Sequence, residues 1–250
     1  MDETIIREVL QEGLPALGMG EDRIPQLIEF SRLLLEKNQV MNLTAITEPR
    51  EVATLHLLDS LALAAHEELA GKKIIDVGTG AGFPGMPLAI VRPDAAVTLL
   101  DSLGKRVKFL EECRDALGLR NVTCVHARAE ELAAGRRESF DIAVSRAVAA
   151  LPVLCELCLP LVRAGGQFLA MKSSHTGEEI ASAEKAIALL GGRIGAVRDY
   201  TIPGSDVVHR VVVIDKVSPT PKKYPRRFAQ IKKQPLGCPP ADKETPGGKT

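Results

Sequence analysis

Aromatic side chains are scarce in this chain: tryptophan is absent, and only two tyrosines and six phenylalanines occur in 250 residues. That argues against a sheet that reads nucleic acid by stacking bases on exposed rings, as RRM domains do. No apolar run approaches the roughly 18 residues of a membrane span. The opening Met1-Asp2-Glu3-Thr4 is acidic where a secretory leader is basic, so a cytoplasmic protein is expected. Five cysteines (Cys113, Cys124, Cys155, Cys158 and Cys238) form no even framework and fit reduced thiols. Cys155 and Cys158 are spaced as C-x-x-C, but zinc needs two further ligands and none stands at suitable spacing. They read as core thiols on one helix face, and no metal is expected. Internal repeats are absent too.

What is present is an ordinary globular composition, 45% hydrophobic and 26% charged, with a formal net charge of zero that hides an asymmetry. Residues 1–70 hold thirteen acids against five bases, a net of −8, so the remainder carries nineteen against twenty-seven, a net of +8. The positive charge is densest in Lys222-Lys223-Tyr224-Pro225-Arg226-Arg227-Phe228-Ala229-Gln230-Ile231-Lys232-Lys233, with six bases and no acid, a local field that attracts phosphate. A solvated tail is the plainer reading of the same run.

Helical periodicity marks residues 1–70 as a cap of about three helices, acidic outside and apolar within. From Gly71 the pattern alternates. Residues 73–77, 97–101, 122–126, 140–145 and 167–171 read as short apolar strands of a parallel sheet, separated by helices at 87–91, 105–117, 151–162 and 178–190. Two further strands, 194–202 and 210–217, are joined by the short turn Pro203-Gly204-Ser205-Asp206 and predict an antiparallel hairpin at the sheet edge. The expectation is a doubly wound, Rossmann-like α/β domain over 71–220, carrying the cap at 1–70 and a basic extension at 221–250 whose last dozen residues are disordered.

The chemistry concentrates in Ile74-Ile75-Asp76-Val77-Gly78-Thr79-Gly80-Ala81-Gly82-Phe83-Pro84-Gly85, an apolar strand that breaks into alternate glycines and a helix start. Such a loop lies at the first strand of a nucleotide-binding sheet, with Pro84 suited to the first helical turn. Gly80-x-Gly82-x-x-Gly85 formally satisfies the dinucleotide fingerprint, and Asp101, nineteen residues beyond Gly82, suits ribose hydroxyls of either cofactor class. Asp76 tips the choice, because a carboxylate at the loop would repel a pyrophosphate but hold an ammonium group, directly or through water. S-Adenosylmethionine carries that ammonium, a ribose and no phosphate. The plainer readings are a strand-end residue satisfying loop amides for Asp76 and a helix cap for Asp101.

The stretch from Asp76 to Gly85, with Asn42-Leu43-Thr44-Ala45-Ile46 and His56-Leu57-Leu58-Asp59-Ser60-Leu61 upstream, closely resembles the RsmG (GidB) family of bacterial small-subunit ribosomal RNA methyltransferases. Arg128-Ala129-Glu130-Glu131, Ser145-Arg146-Ala147, His209-Arg210 and Pro221-Lys222-Lys223-Tyr224-Pro225-Arg226-Arg227 extend the resemblance over roughly residues 30–236. It implies methyl transfer from S-adenosylmethionine to N7 of one guanine in 16S ribosomal RNA. By motif position, Gly78 and Phe83 would line the cofactor, Asp101 and Ser102 its ribose, Ala129 and Glu130 its adenine, and Arg146 would bind beside the cofactor's methyl end, facing substrate. Asp76, Gly80 and Gly82 complete the cofactor set.

Guanine N7 has a free lone pair, so no general base is expected, and Arg146 reads as a positioning residue. Lys172, Arg210, Lys222, Arg226 and Arg227 are the candidates for RNA phosphate contacts. The partner is 16S RNA or the small subunit, and a monomer is expected. Three other readings remain open at this level: a methyltransferase of another substrate, a nicotinamide-dependent oxidoreductase, and a non-catalytic ribosome-binding factor.

Overall fold

A computed structural model describes residues 2–238. The N-terminal helices are α1 (Glu3–Ala16) and α2 (Ile24–Met41), followed by one continuous helical run. That run comprises α3 (Pro49–Glu51), a π-helical stretch (Val52–Leu58) and α4 (Asp59–His66). Asp2 caps α1 by accepting from Thr4 N at 3.0 Å, and α2 ends at Asn42 in the left-handed conformation, a position Asn tolerates better than most residues.

Next come β1 (Lys73–Val77), α5 (Gly85–Val91), β2 (Ala96–Asp101), α6 (Gly104–Ala116), β3 (Val122–His126), α7 (Ala129–Gly135) and β4 (Phe140–Arg146). The chain continues through α8 (Leu151–Cys158), β5 (Val162–Ser173), α9 (Gly177–Leu189), β6 (Gly192–Thr201), β7 (Val208–Lys216) and α10 (Phe228–Lys233). The seven strands lie in the order β3-β2-β1-β4-β5-β7-β6. β1 to β5 are parallel, and β7 runs antiparallel to both β5 and β6. The order reverses direction between β1 and β4, the switch point at which ligands bind beyond the carboxyl ends of such strands.

Successive side chains on these strands enter opposite layers, as the pleat requires. Ile74, Val97, Leu99, Ile142 and Val144 join the cap residues in one buried cluster. Ile75, Leu100, Ala143, Phe168 and Ala170 join α8, α9 and Ile231 of α10 in the other. The cap therefore shares a core with one face of the sheet and holds its loops over the strand ends.

Three details depart from the sequence expectation. The short alanine-rich α7 is absent from it. The helix expected over 151–162 stops at Cys158, a single 3-10 turn (Leu159–Leu161) follows, and Pro160 has no N–H with which to extend a helix. β5 accordingly begins at Val162, five residues earlier than read. The expected hairpin is present, although β7 inserts beside β5 and leaves β6 at the edge.

The basic segment is also more ordered than a tail. Arg137 donates to the carbonyls of Thr220 at 2.6 Å, Pro221 at 3.0 Å and Tyr224 at 2.7 Å, and α10 follows. The final stretch expected to be disordered lies outside the described residues.

Gly85 shows how tightly α5 sits on the sheet: an added Cβ would collide with Leu99 and come within 2.8 Å of Asp76 Oδ2. Gly85→Ala is expected to destabilise the fold by about 1–3 kcal/mol through overpacking, read as a lower denaturant midpoint at unchanged slope.

Candidate active site

The loop after β1 is stitched to two carboxylates. Asp76 is 1% exposed, and its Oδ2 accepts from Thr79 Oγ1 at 2.6 Å and Gly85 N at 2.8 Å. Asp101 accepts from Gly80 N at 3.0 Å through Oδ2 and from Leu103 N at 2.8 Å through Oδ1. Gly78 (φ +73°) and Gly80 (φ +61°) take left-handed conformations that bare the loop backbone toward the strand ends. Pro84 stands just outside α5 as its N-cap, one position before the first turn expected for it.

Two adjoining hollows flank this loop. The first is walled by Asp101, Ser102, Arg128, Ala129, Glu130 and Phe228, and the second by Thr44, His56, Phe83, Arg106, Arg146 and Ala147. Gly78, Asp101, Ser102 and Val148 line both. The structure thus brings Gly78, Asp101, Ser102, Ala129 and Glu130 together in one hollow. Gly80, Phe83 and Arg146 face the next one.

Two expectations are corrected here. Asp76 lines neither hollow: it is buried beneath the loop, its Oδ2 is used by loop and helix donors, and it braces the glycine turn instead of facing a ligand. Its Oδ1 has no partner among the described residues. Gly82 also points away from the hollows, since a Cβ there would approach Leu110, Phe30 and Met86 at 3.0–3.2 Å. Its bareness lets the loop pack against the cap and α6.

The second hollow is built around Arg146 at the end of β4. Its Nη1 donates to Asp59 Oδ2 at 2.7 Å and to Leu55 O at 3.1 Å, and Nη2 lies 3.2 Å from His56 Nδ1. The guanidinium sits 5.1 Å from the Phe83 ring centre, and His56 stacks on the same ring at 4.4 Å. Leu55 and His56 belong to the π-helical stretch, where displaced backbone pairing favours such a contact. Asp59 is fully buried, and its Oδ1 accepts from Tyr200 at 2.8 Å and is paired with His209 Nδ1 at 2.7 Å.

Burial alone would raise the Asp59 carboxyl. His209, Arg146 and Tyr200 outweigh that and hold it below the usual carboxylate range. His56 is pushed down to about 4, first by burial and then by the adjacent Arg146 charge, so its ring is neutral at pH 7. Ala147 follows at φ +54°, strained for a residue with a Cβ.

The family described as rRNA small subunit methyltransferase G (GidB) matches residues 23–203. The chain belongs to this family. Its GidB relatives include the ribosomal RNA small subunit methyltransferase G of Alkaliphilus metalliredigens, 46% identical over 233 residues covering 91% of this chain and 98% of that one. The Clostridium perfringens protein of the same name is 44% identical over 234 residues, covering 92% and 98%. Among solved structures, M. jannaschii TYW2 in complex with AdoMet has a TM-score of 0.52 at 14% identity, covering 64% of this chain and 75% of that one. A 16S rRNA adenine methyltransferase from Catenulisporales acidiphilia gives 0.51 at 17% identity, covering 61% and 88%. The last two share the fold.

Of the basic residues read as RNA contacts in this GidB chain, three are engaged elsewhere. Lys172 Nζ donates to Glu179 at 2.6 Å and to Ala149 O at 2.7 Å. Arg226 forms a two-pronged pair with the fully buried Glu156, at 2.7–3.2 Å. Arg210 is clamped by Asp199 at 2.6 and 2.9 Å. Lys222 and Arg227 are exposed. Cys155 and Cys158 are buried thiols, pushed well above their ordinary range by that burial. Among the described residues no group of three His, Cys, Asp or Glu could hold a metal ion.

Sequence reasoning missed Phe228, which walls the first hollow beneath the Arg128 guanidinium, 5.0 Å from its ring centre. It also assigned no role to Asp59, although an acid inside an apolar helical run signals a buried partner. Asn38 escaped notice as well: its Oδ1 accepts from Leu43 N at 2.6 Å and Thr44 N at 2.9 Å and fixes the loop that follows α2.

Asp76 gives a pH signature. Burial raises its carboxyl to about 6 against the opposing hydrogen bonds from Thr79 and Gly85. The folded state therefore binds the proton more readily than the unfolded chain, and this group adds stability as pH falls from 7 toward 5. Relative to Asp76→Asn, the wild type is expected to gain about 1 kcal/mol over that interval, measured by denaturant titration at each pH.

Proposed function

We propose that this enzyme transfers a methyl group from S-adenosylmethionine to N7 of a guanine in the 16S RNA of the small ribosomal subunit. The observation that carries the reading is the adjacency of the two hollows, which share Gly78 and Asp101, one ending at Glu130 and the other at Arg146. The residues present fit the cofactor. Gly78 lets the loop backbone lie bare between the hollows, with Val148 packed against the face a Cβ would occupy. Asp101 Oδ1, which accepts only from Leu103 N, keeps a lone pair for a ribose hydroxyl, while Oδ2 holds Gly80 N and faces Arg106. Glu130 offers a carboxylate to an exocyclic amine, and Ala129 N–H, at the start of α7, is an open helix donor. Phe228 covers that end with a ring face.

When bound, S-adenosylmethionine supplies an electrophilic methyl on a sulfonium with its own leaving group. Guanine N7 attacks with a free lone pair, so the protein has no proton to remove. Its task is alignment, which contributes on the order of 7–11 kcal/mol when reacting atoms are held in line. Arg146, tied to Asp59, Leu55 and His56, is a rigid positive wall at the reacting end. The cap sets His56 beside Arg146 and Thr44 beyond it, in one hydrogen-bonded row along the hollow.

Mapping of modified guanines in small-subunit RNA by mass spectrometry, with and without the gene, tests the reading: loss of one N7-methylguanine is expected. Calorimetry should find S-adenosylhomocysteine bound and NAD not bound, and the reverse result overturns the assignment. Arg146→Ala is expected to lower methyl transfer by about 100-fold or more while S-adenosylhomocysteine affinity changes by less than about fivefold. The same variant should lose about 3 kcal/mol of stability, because Asp59 keeps its burial and loses its cation. For RNA, Lys222→Ala with Arg227→Ala should reduce the slope of log affinity against log salt by about 2, measured by filter binding of small subunits.

A further inference from the structure

We propose that the Thr44 hydroxyl is a fixed hydrogen-bond donor that reads the base beside the reacting nitrogen, selecting guanine by its O6 acceptor. The proposal rests on the guanine-N7 reading above and extends it to the residue that would set base choice.

The direction of the donor follows from bonding around His56. Arg146 Nη2 lies 3.2 Å from His56 Nδ1, and a guanidinium has only hydrogens to offer. Nδ1 must therefore present its lone pair, so the ring proton sits on Nε2. His56 Nε2 is 2.8 Å from Thr44 Oγ1 and donates to it. Ile46 N donates to the same oxygen at 3.0 Å. Both lone pairs of the hydroxyl are then occupied, and its hydrogen finds no protein acceptor among the described residues.

Rotation of the hydroxyl cannot reverse this role without breaking one of those two bonds. The Thr44 backbone is held as well, by Asn38 Oδ1 at its N–H and by Asn38 Nδ2 at its carbonyl, 2.9 and 3.0 Å away. Thr44 lines the second hollow from the cap side, and Arg146 and Gly80 line the same hollow. An acceptor entering there meets an O–H already aimed and already paired on its other sides.

Guanine presents two acceptors on the edge that carries N7, namely N7 itself and O6, whereas adenine carries an amino group in place of O6. With N7 turned to the methyl, O6 is the adjacent atom. A donor locked in place accepts guanine and opposes adenine, since two donors would face each other. The reaction also dictates how the contact registers in kinetics. As N7 gains the methyl, the ring becomes cationic and O6 becomes a poorer acceptor, so the bond is strongest before reaction. Its loss should raise KM and leave kcat nearly unchanged.

The test uses small subunits from a strain lacking the gene, the full-length enzyme and labelled S-adenosylmethionine. Thr44→Val, nearly isosteric without the hydroxyl, is expected to raise KM for subunits about fivefold, with kcat and S-adenosylhomocysteine affinity within about twofold of wild type. Thr44→Ser, which keeps the hydroxyl, should restore KM and shows that the loss is not one of folding. On subunits reconstituted with adenine at the mapped position, Thr44→Val should narrow the guanine-over-adenine preference.

Unchanged KM and unchanged preference in Thr44→Val overturn the proposal. A loss of S-adenosylhomocysteine affinity matching the loss of activity overturns it too, by placing the hydroxyl against the cofactor. If the wild type methylates an atom other than guanine N7, the functional reading fails with it. A silent Thr44→Val on a wild type that does form N7-methylguanine removes the base-selection role alone.

Discussion

The buried pair between Arg146 and Asp59 is the constraint on which the site depends. Taking both charges out of water costs several kcal/mol, and the pair is tolerated because neither charge is left underserved. Asp59 is approached by Arg146, Tyr200 and His209, and Arg146 is also held by Leu55 O and His56. These partners come from the cap, from β4 and from both strands of the edge hairpin. Four pieces of chain distant in sequence thus converge on one carboxylate, and their convergence fixes the wall of the second hollow. An apolar substitute of equal volume could hold the same elements together, but it would place no cation there.

The cap serves the sheet in a second way. Its π-helical stretch offers Leu55 O to Arg146 and sets His56 flat on Phe83, so a local irregularity of the helix becomes the register between cap and glycine loop. The loop is held from beneath by Asp76 and from the side by Asp101. One of these acids is hidden and the other lines the cavity, although both stand at strand ends in the sequence. Both are buried, and placement separates their roles: Asp76 is an internal brace, and Asp101 lines both hollows.

Much of this was legible in the sequence. The alternation of apolar runs and helical patterns marks a doubly wound sheet because a parallel strand is buried on both faces, and the glycine loop stands out because its spacing permits bared backbone. Charge was the poorer guide. Lys172, Arg226 and Arg210 look like phosphate ligands in a linear reading, yet each meets a carboxylate that only the fold brings near, Glu179 from α9, Glu156 from α8 and Asp199 from β6. Phe228 was hidden for a related reason. Nothing local shows that a basic segment will be drawn back against α8 and the first hollow by Arg137 and Glu156. Long-range ion pairs have no periodicity to read.

The docking of that segment bears on how the enzyme comes into being. The walls of the two hollows are drawn from Leu43 through to Phe228, a span that includes all seven strands of the sheet. Contacts between ends so far apart are among the slowest for a chain to close. During synthesis the wall that Phe228 gives the first hollow is made after every strand of the sheet, because α10 is the last described element. A chain made only as far as β7 leaves the first hollow open on the side that Phe228 walls, and in the complete fold the Arg226–Glu156 pair stands two residues before that ring. The first hollow is thus whole only once the last described helix has been made.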